Sequence, residues 1–115
     1  MSIASKYNHG RKFTFEIPEN FEYASLADLY NNNGADFVYC VRALYINHKG
    51  KFGDAPVAVT SGEIVNLPKY LLEAVEAIRR DAEAVDAINN QQFGFRIRMY
   101  SSNGRTCYTV NWVDM

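Results

Sequence analysis

The sequence predicts an α+β fold. It reads as a mostly antiparallel, twisted sheet with one main helix, about residues 68–90, packed on its apolar face and a short helix near residues 25–32. Three observations carry this. Asn103-Gly104 lies between two alternating segments and is a strong signal for a two-residue hairpin turn, because a type I′ turn needs positive φ at both central positions. Leu71, Val75, Ile78, Ala82 and Val85 recur at spacings of four, three, four and three, which sets them on one side of a helix. The segment DFVYCVRALYIN, Asp36–Asn47, is rich in β-formers and apolar on both faces except at Arg42, as a central strand should be.

Taken in order, Met1–Gly10 reads as a loose lead-in. Lys12–Ile17 alternates, with Phe13, Phe15 and Ile17 on one side, and predicts a strand stopped by Pro18. Ser25 is a candidate N-cap for the short helix, with Asp28 at the third helical position, and Asn31-Asn32-Asn33-Gly34 ends it. His48–Gly53 is a basic turn. Pro56–Thr60 is a short strand that Glu63–Asn66 extends after Ser61-Gly62. Pro68 opens the main helix at a position that suits proline. Asp81 is placed to cap a new turn, so the segment is either one helix to about Asn90 or two with a break near residue 81.

The turn sets the hairpin register. With Asn103 and Gly104 central, Ser102 faces Arg105, Tyr100 faces Cys107, Arg98 faces Thr109, Ile97 faces Val110 and Phe95 faces Trp112. Cross-strand partners share a face. One face is therefore Phe95, Ile97, Met99, Tyr108, Val110 and Trp112, for the main helix to cover. The other holds Arg96, Arg98, Tyr100, Cys107, Thr109 and Asn111 and is left open.

The 115 residues suit one domain with a real core, and 48% hydrophobic residues argue against disorder. A net charge of −1 gives no overall pull toward nucleic acid or anionic membrane, so such binding needs a local patch. The start of the chain lacks an apolar signal segment and no run is long enough to span a membrane, so a cytoplasmic location is expected. Cys40 and Cys107 fall in predicted strands without close spacing and read as two free thiols. His9 and His48 have no partners at metal-ligand spacing, and no phosphate-cradling loop occurs. Neither an enzyme's machinery nor a cofactor site is expected.

The basic and aromatic residues offer more. Arg42, Arg96 and Arg98 lie on strands, while Lys49, Lys51 and Arg105 lie on turns. Tyr100, Tyr39 and Tyr45 are placed to stack. A cationic surface with aromatic platforms is how single-stranded nucleic acid is held. Arginines on the wet side of an antiparallel sheet are also ordinary. FGFRIRMY invites comparison with the aromatic strand of RNA-recognition motifs, but Gln91 and Gln92 stand where a basic residue and a glycine belong, and Arg96 and Arg98 replace an apolar and an aromatic position.

The stretches GKFGDAPVAVTSGEIVNLPKYLLEAVEAI and FGFRIRMYSSNGRTCYTVNWVD resemble small accessory proteins of phages and mobile elements of Gram-positive bacteria. That resemblance implies work early in infection: binding single-stranded DNA, or blocking a host protein such as a defence nuclease. The expected function is a non-enzymatic binding protein that takes single-stranded nucleic acid through Arg42, Arg96, Arg98, Tyr100, Arg105, Lys49 and Lys51. The alternative is a protein-binding inhibitor or adaptor. Either is compatible with a homodimer through a free sheet edge.

Overall fold

The computed structural model describes residues 13–48 and 53–115. It is an α+β fold built on a six-stranded sheet. The strands are β1 (Tyr23–Ser25), β2 (Tyr39–Asn47), β3 (Ala55–Thr60), β4 (Ile64–Asn66), β5 (Phe93–Ser102) and β6 (Arg105–Asp114). The helices are α1 (Leu26–Asn33), α2 (Leu72–Arg80) and α3 (Ala82–Asn89). The spatial order is β1-β4-β3-β2-β5-β6. All neighbours are antiparallel except the short β1–β4 pair.

Local chemistry explains the element boundaries. Ser25 accepts the Asp28 amide through its hydroxyl at 3.1 Å and starts α1. Gly34 ends it at φ 83°, a conformation that costs a residue without Cβ little. Pro68 precedes a 3-10 turn, Lys69–Leu71, that feeds α2. The main helix is two helices. Asp81 is extended at φ −91°, ψ 111°, and its carboxylate caps the amides of Glu83 and Ala84. The break turns the apolar stripe: Val75, Val85 and Ile88 are buried, whereas Ala82, assigned to the stripe from spacing, is exposed.

The hairpin register is the expected one at every pair from Phe93–Asp114 to Ser102–Arg105. Asn103 and Gly104 both have positive φ, 53° and 77°. What covers its apolar face differs from expectation. The short helix α1 lies against β5 and β6 and α3, the second half of the expected helix, lies against β2 and β5, while α2 lies against β2 and β3. Leu29 offers its carbonyl to the Tyr39 hydroxyl, and the Tyr30 ring meets the Tyr108 ring at 5.5 Å. One core joins Leu26 and Leu29 of α1, Tyr39, Val41 and Leu44 of β2, Val75 of α2, Ile88 of α3, and Phe95, Ile97 and Val110 of the hairpin. Trp112 is only half-buried at its margin, stacked on Phe93 and edge-on to Phe95.

β2 meets β5 through two residue pairs alone, Tyr39–Phe95 and Cys40–Gly94. A Cβ on Gly94 would stand 2.5 Å from the Tyr39 carbonyl oxygen, so only glycine permits this junction. Beyond it β5 and β6 run on as a two-stranded arm.

The strand expected over Lys12–Ile17 does not form in residues 13–17. The backbone there bonds a side chain in place of a ladder, with the Thr14 amide donating to Asn89 Oδ1 at 2.9 Å. Phe13 meets Tyr45 and Phe15 meets Phe21 instead. The lead-in Met1–Gly10 lies outside the described residues. Among the described residues no helix is long and apolar enough to cross a membrane.

Candidate nucleic-acid interface

The open face of the β5–β6 arm follows from pleat alone. Alternate residues of a strand share a face and lie roughly 7 Å apart, which sets Arg96, Arg98 and Tyr100 in a row. Both arginines are exposed and Tyr100 is half-buried. Arg96 Nε donates to the Asp36 carbonyl at 3.4 Å, a long bond that leaves most of the guanidinium's donors to solvent. The Arg98 guanidinium stands 5.8 Å from the Tyr100 ring centroid, within the range where a cation is drawn to an aromatic face. Among the described residues neither arginine has a carboxylate partner. Arg105 is exposed at the first position of β6, beside the turn.

Charge is divided along the chain. The hairpin strands carry Arg96, Arg98 and Arg105 against Asp114. Helices α2 and α3 with their linking residue carry Glu73, Glu76, Asp81, Glu83 and Asp86 against Arg79 and Arg80. A net charge of −1 therefore conceals a positive arm and a negative helical layer.

Tyr100 has a neighbour that the sequence did not announce. Its hydroxyl donates to the Tyr70 hydroxyl at 3.4 Å, and the Tyr70 hydroxyl donates to the Tyr108 carbonyl at 3.4 Å. Tyr70 comes from the 3-10 turn before α2 and is itself 58% exposed. The bond to Tyr70 favours the neutral phenol, and with partial desolvation and the nearby Cys107 it pushes Tyr100 up to about 12. Tyr100 is thus a neutral aromatic ring at any physiological pH. No local pattern marks Tyr70 as its partner, because the two are thirty residues apart.

The other expected site residues are dispersed. Arg42 occupies a bulge, where the β2–β3 register shifts between Val41 and Ala43. Its guanidinium lies over the Phe15 ring at 4.4 Å. From the Cys40–Gly94 pair, Arg42 lies up β2 while Arg96 lies in the opposite direction, about four residue steps or 13 Å along the strand axis. Arg42 is therefore apart from the arginine row. Tyr39 is buried in the core and offers no platform, and Tyr45 packs edge-on to Phe13. Lys49 and Lys51 lie outside the described residues. His48 pairs with Asp54 at 3.0 Å, and no group of three metal-ligating side chains occurs among the described residues. Cys40 and Cys107 are half-buried free thiols.

No protein-family model, curated protein or solved structure is similar to the chain.

Proposed function

We propose that the protein is a non-enzymatic binding protein that takes single-stranded nucleic acid along the open face of the β5–β6 arm. The observation that supports this most is the row Arg96, Arg98, Tyr100: two exposed cations with no carboxylate partner among the described residues, beside a neutral aromatic ring. Arg96 and Arg98 meet phosphates, Tyr100 stacks a base, and Arg105 extends the patch toward the turn. The backbone contacts make binding salt-sensitive and largely blind to sequence.

The test is fluorescence anisotropy of a labelled single-stranded oligonucleotide at several salt concentrations. Wild type should bind, and binding should weaken with salt. For single strands the salt slope is ~0.7 per phosphate neutralised, so Arg96→Ala with Arg98→Ala should lower it by about 1.4 at an unchanged Tm. A flat titration at low salt would retire the proposal.

A second reading, a protein-binding inhibitor or adaptor of the phage type, is favoured by Phe37 and Met99. Both are large apolar side chains left 47% and 49% exposed near the arm. It is tested by capture of one stoichiometric protein that survives nuclease treatment and is lost in Phe37→Ser with Met99→Ser.

A further inference from the structure

Strand β6 ends the sheet, and among the described residues its ten residues pair in a ladder on one side only. The hairpin register fixes which backbone groups point out. Ser102 and Arg105 flank a two-residue turn, so they exchange both hydrogen bonds, and bonded and non-bonded pairs alternate from there. Arg105, Cys107, Thr109, Asn111 and Val113 turn their amides and carbonyls toward β5. Met115 keeps the same parity, its amide bonding the Gln92 carbonyl at 3.0 Å. Thr106, Tyr108, Val110, Trp112 and Asp114 therefore present theirs outward.

Natural sheets guard such an edge with proline, a bulge, inward charges, brevity or a covering helix or loop. β1, at the other end, is guarded by brevity, with three residues. β6 has no proline, its pairing with β5 runs without a register shift, and its charges, Arg105 and Asp114, stand only at its ends. The Tyr70 hydroxyl touches this edge at the Tyr108 carbonyl, at 3.4 Å, a long and weak bond for a hydroxyl donor.

We propose that a second copy of the chain pairs here, β6 antiparallel to β6, about a two-fold axis through Val110. Partners across such an axis must share a face, which restricts the possible registers. Only the register centred on Val110 sets all five outward residues against one another. Thr106 then faces the partner's Asp114, Tyr108 faces the partner's Trp112, and Val110 faces the partner's Val110. The strand is thus complementary to itself, with an apolar centre, two aromatic pairs and polar ends.

On the arginine face, pairing by β6 sets Arg98, Thr109, the partner's Asn111 and the partner's Arg96 in one line across four strands, although Thr109, expected on the open face, is itself buried. At roughly 4.8 Å per strand, that line is about 14 Å long. A second, symmetric line holds Arg96 and the partner's Arg98. Two arginines become four on one continuous surface, which raises the effective valency of the patch. This consequence rests on the proposed function; the pairing itself does not.

The test uses the one native cysteine on β6. In this register Cys107 faces the partner's Val113 in a pair without backbone bonds across the new interface, where Cβ atoms approach about 4.5 Å. Within one chain these positions are six residues apart on a strand, about 20 Å, and cannot bridge. Val113→Cys in a Cys40→Ser background should therefore give a reducible dimer on mild oxidation. It should form faster than the cross-link from Ser102→Cys, at the exposed end of β5 beside the turn. The unmodified chain should sediment at twice its monomer mass at high micromolar concentration. Thr106→Pro should restore the monomer at an unchanged Tm, because that amide points away from β5. A monomeric mass at all concentrations, or cross-linking at Val113 no faster than at Ser102, would overturn the inference. A dimer that binds no oligonucleotide would leave it standing and remove the function proposed above.

Discussion

The base and the arm of the β5–β6 hairpin share one alternation and meet different surroundings. At the base, Phe95 and Ile97 are buried among α1, β2 and the partner strand. Two pairs farther on, Met99 has the same facing and the same apolar character, yet is 49% exposed. The cause is the brevity of the β2–β5 junction. Among the described residues no strand runs along the other edge of β5 past Tyr39, and α1 reaches outward as far as Tyr108, through Tyr30. Alternation assigns a residue to a face. Whether that face is covered depends on how far its neighbours extend, and that is a tertiary fact.

The base should be the costly place to cut. Phe95 has no exposed surface, stacks on Tyr39 at 5.3 Å and meets Trp112 edge-on. Phe95→Ala should cost about 3–5 kcal/mol by chemical denaturation. Met99→Ala, on the same face of the same strand, should cost less than about 0.5 kcal/mol, as for surface positions away from special features. Equal costs would mean the arm is packed as tightly as the base.

Gly94 sharpens the comparison. An added methyl group would meet the Tyr39 carbonyl oxygen at 2.5 Å and the Met115 sulfur at 2.8 Å. The methionine can move, but the backbone of β2 cannot without opening one of the two pairs that join the sheet's halves. Gly94→Ala should destabilise by about 1–3 kcal/mol, the usual range for overpacking. A neutral result would show that the junction yields and that the arm is free to shift against β2.

Much of this fold could be read in the sequence where the determinants are local. Asn103-Gly104 specifies a turn, and a turn specifies a register, so all ten hairpin pairs followed. Ser25 and Asp81 were legible for the same reason, since a cap acts within three residues. The segment at 13–17 was misread because its alternation is real but its partners are Asn89, Tyr45 and Phe21 rather than a strand. β1 is three residues long and too short to announce itself. That α1 shares the cover of the hairpin with α3 is not legible, because periodicity fixes a helix's apolar side and not the strands it meets. For the candidate site, Arg96 and Arg98 followed from alternation, as did their exposure. Arg42 did not join them because a bulge lies at that position and β2 and β5 run past each other in opposite directions. Tyr70 was invisible because only the folded chain brings it to Tyr100.

The smallest expected effect lies at the arm, and it tests whether Tyr70 or the hairpin itself sets the state of Tyr100. Tyr100 is pushed up to about 12, first by its hydrogen bond to Tyr70 and then by partial desolvation and the nearby Cys107. An ordinary phenol titrates near 10. A pKa raised on folding means that the contact's contribution is complete below pH ~10 and fades as pH rises toward about 12. At neutral pH Tyr70→Phe should therefore leave Tm nearly unchanged, since the bond is long and lies at the surface. In an alkaline titration of phenolate absorbance, the same variant should bring Tyr100 down toward the ordinary value. If Tyr100 stays high in that variant, the hairpin's own environment holds it there, and Tyr70 is a neighbour rather than a determinant. If it falls, Tyr70 of the turn before α2 is coupled to the arginine row, and the open face is shaped from beyond its own two strands.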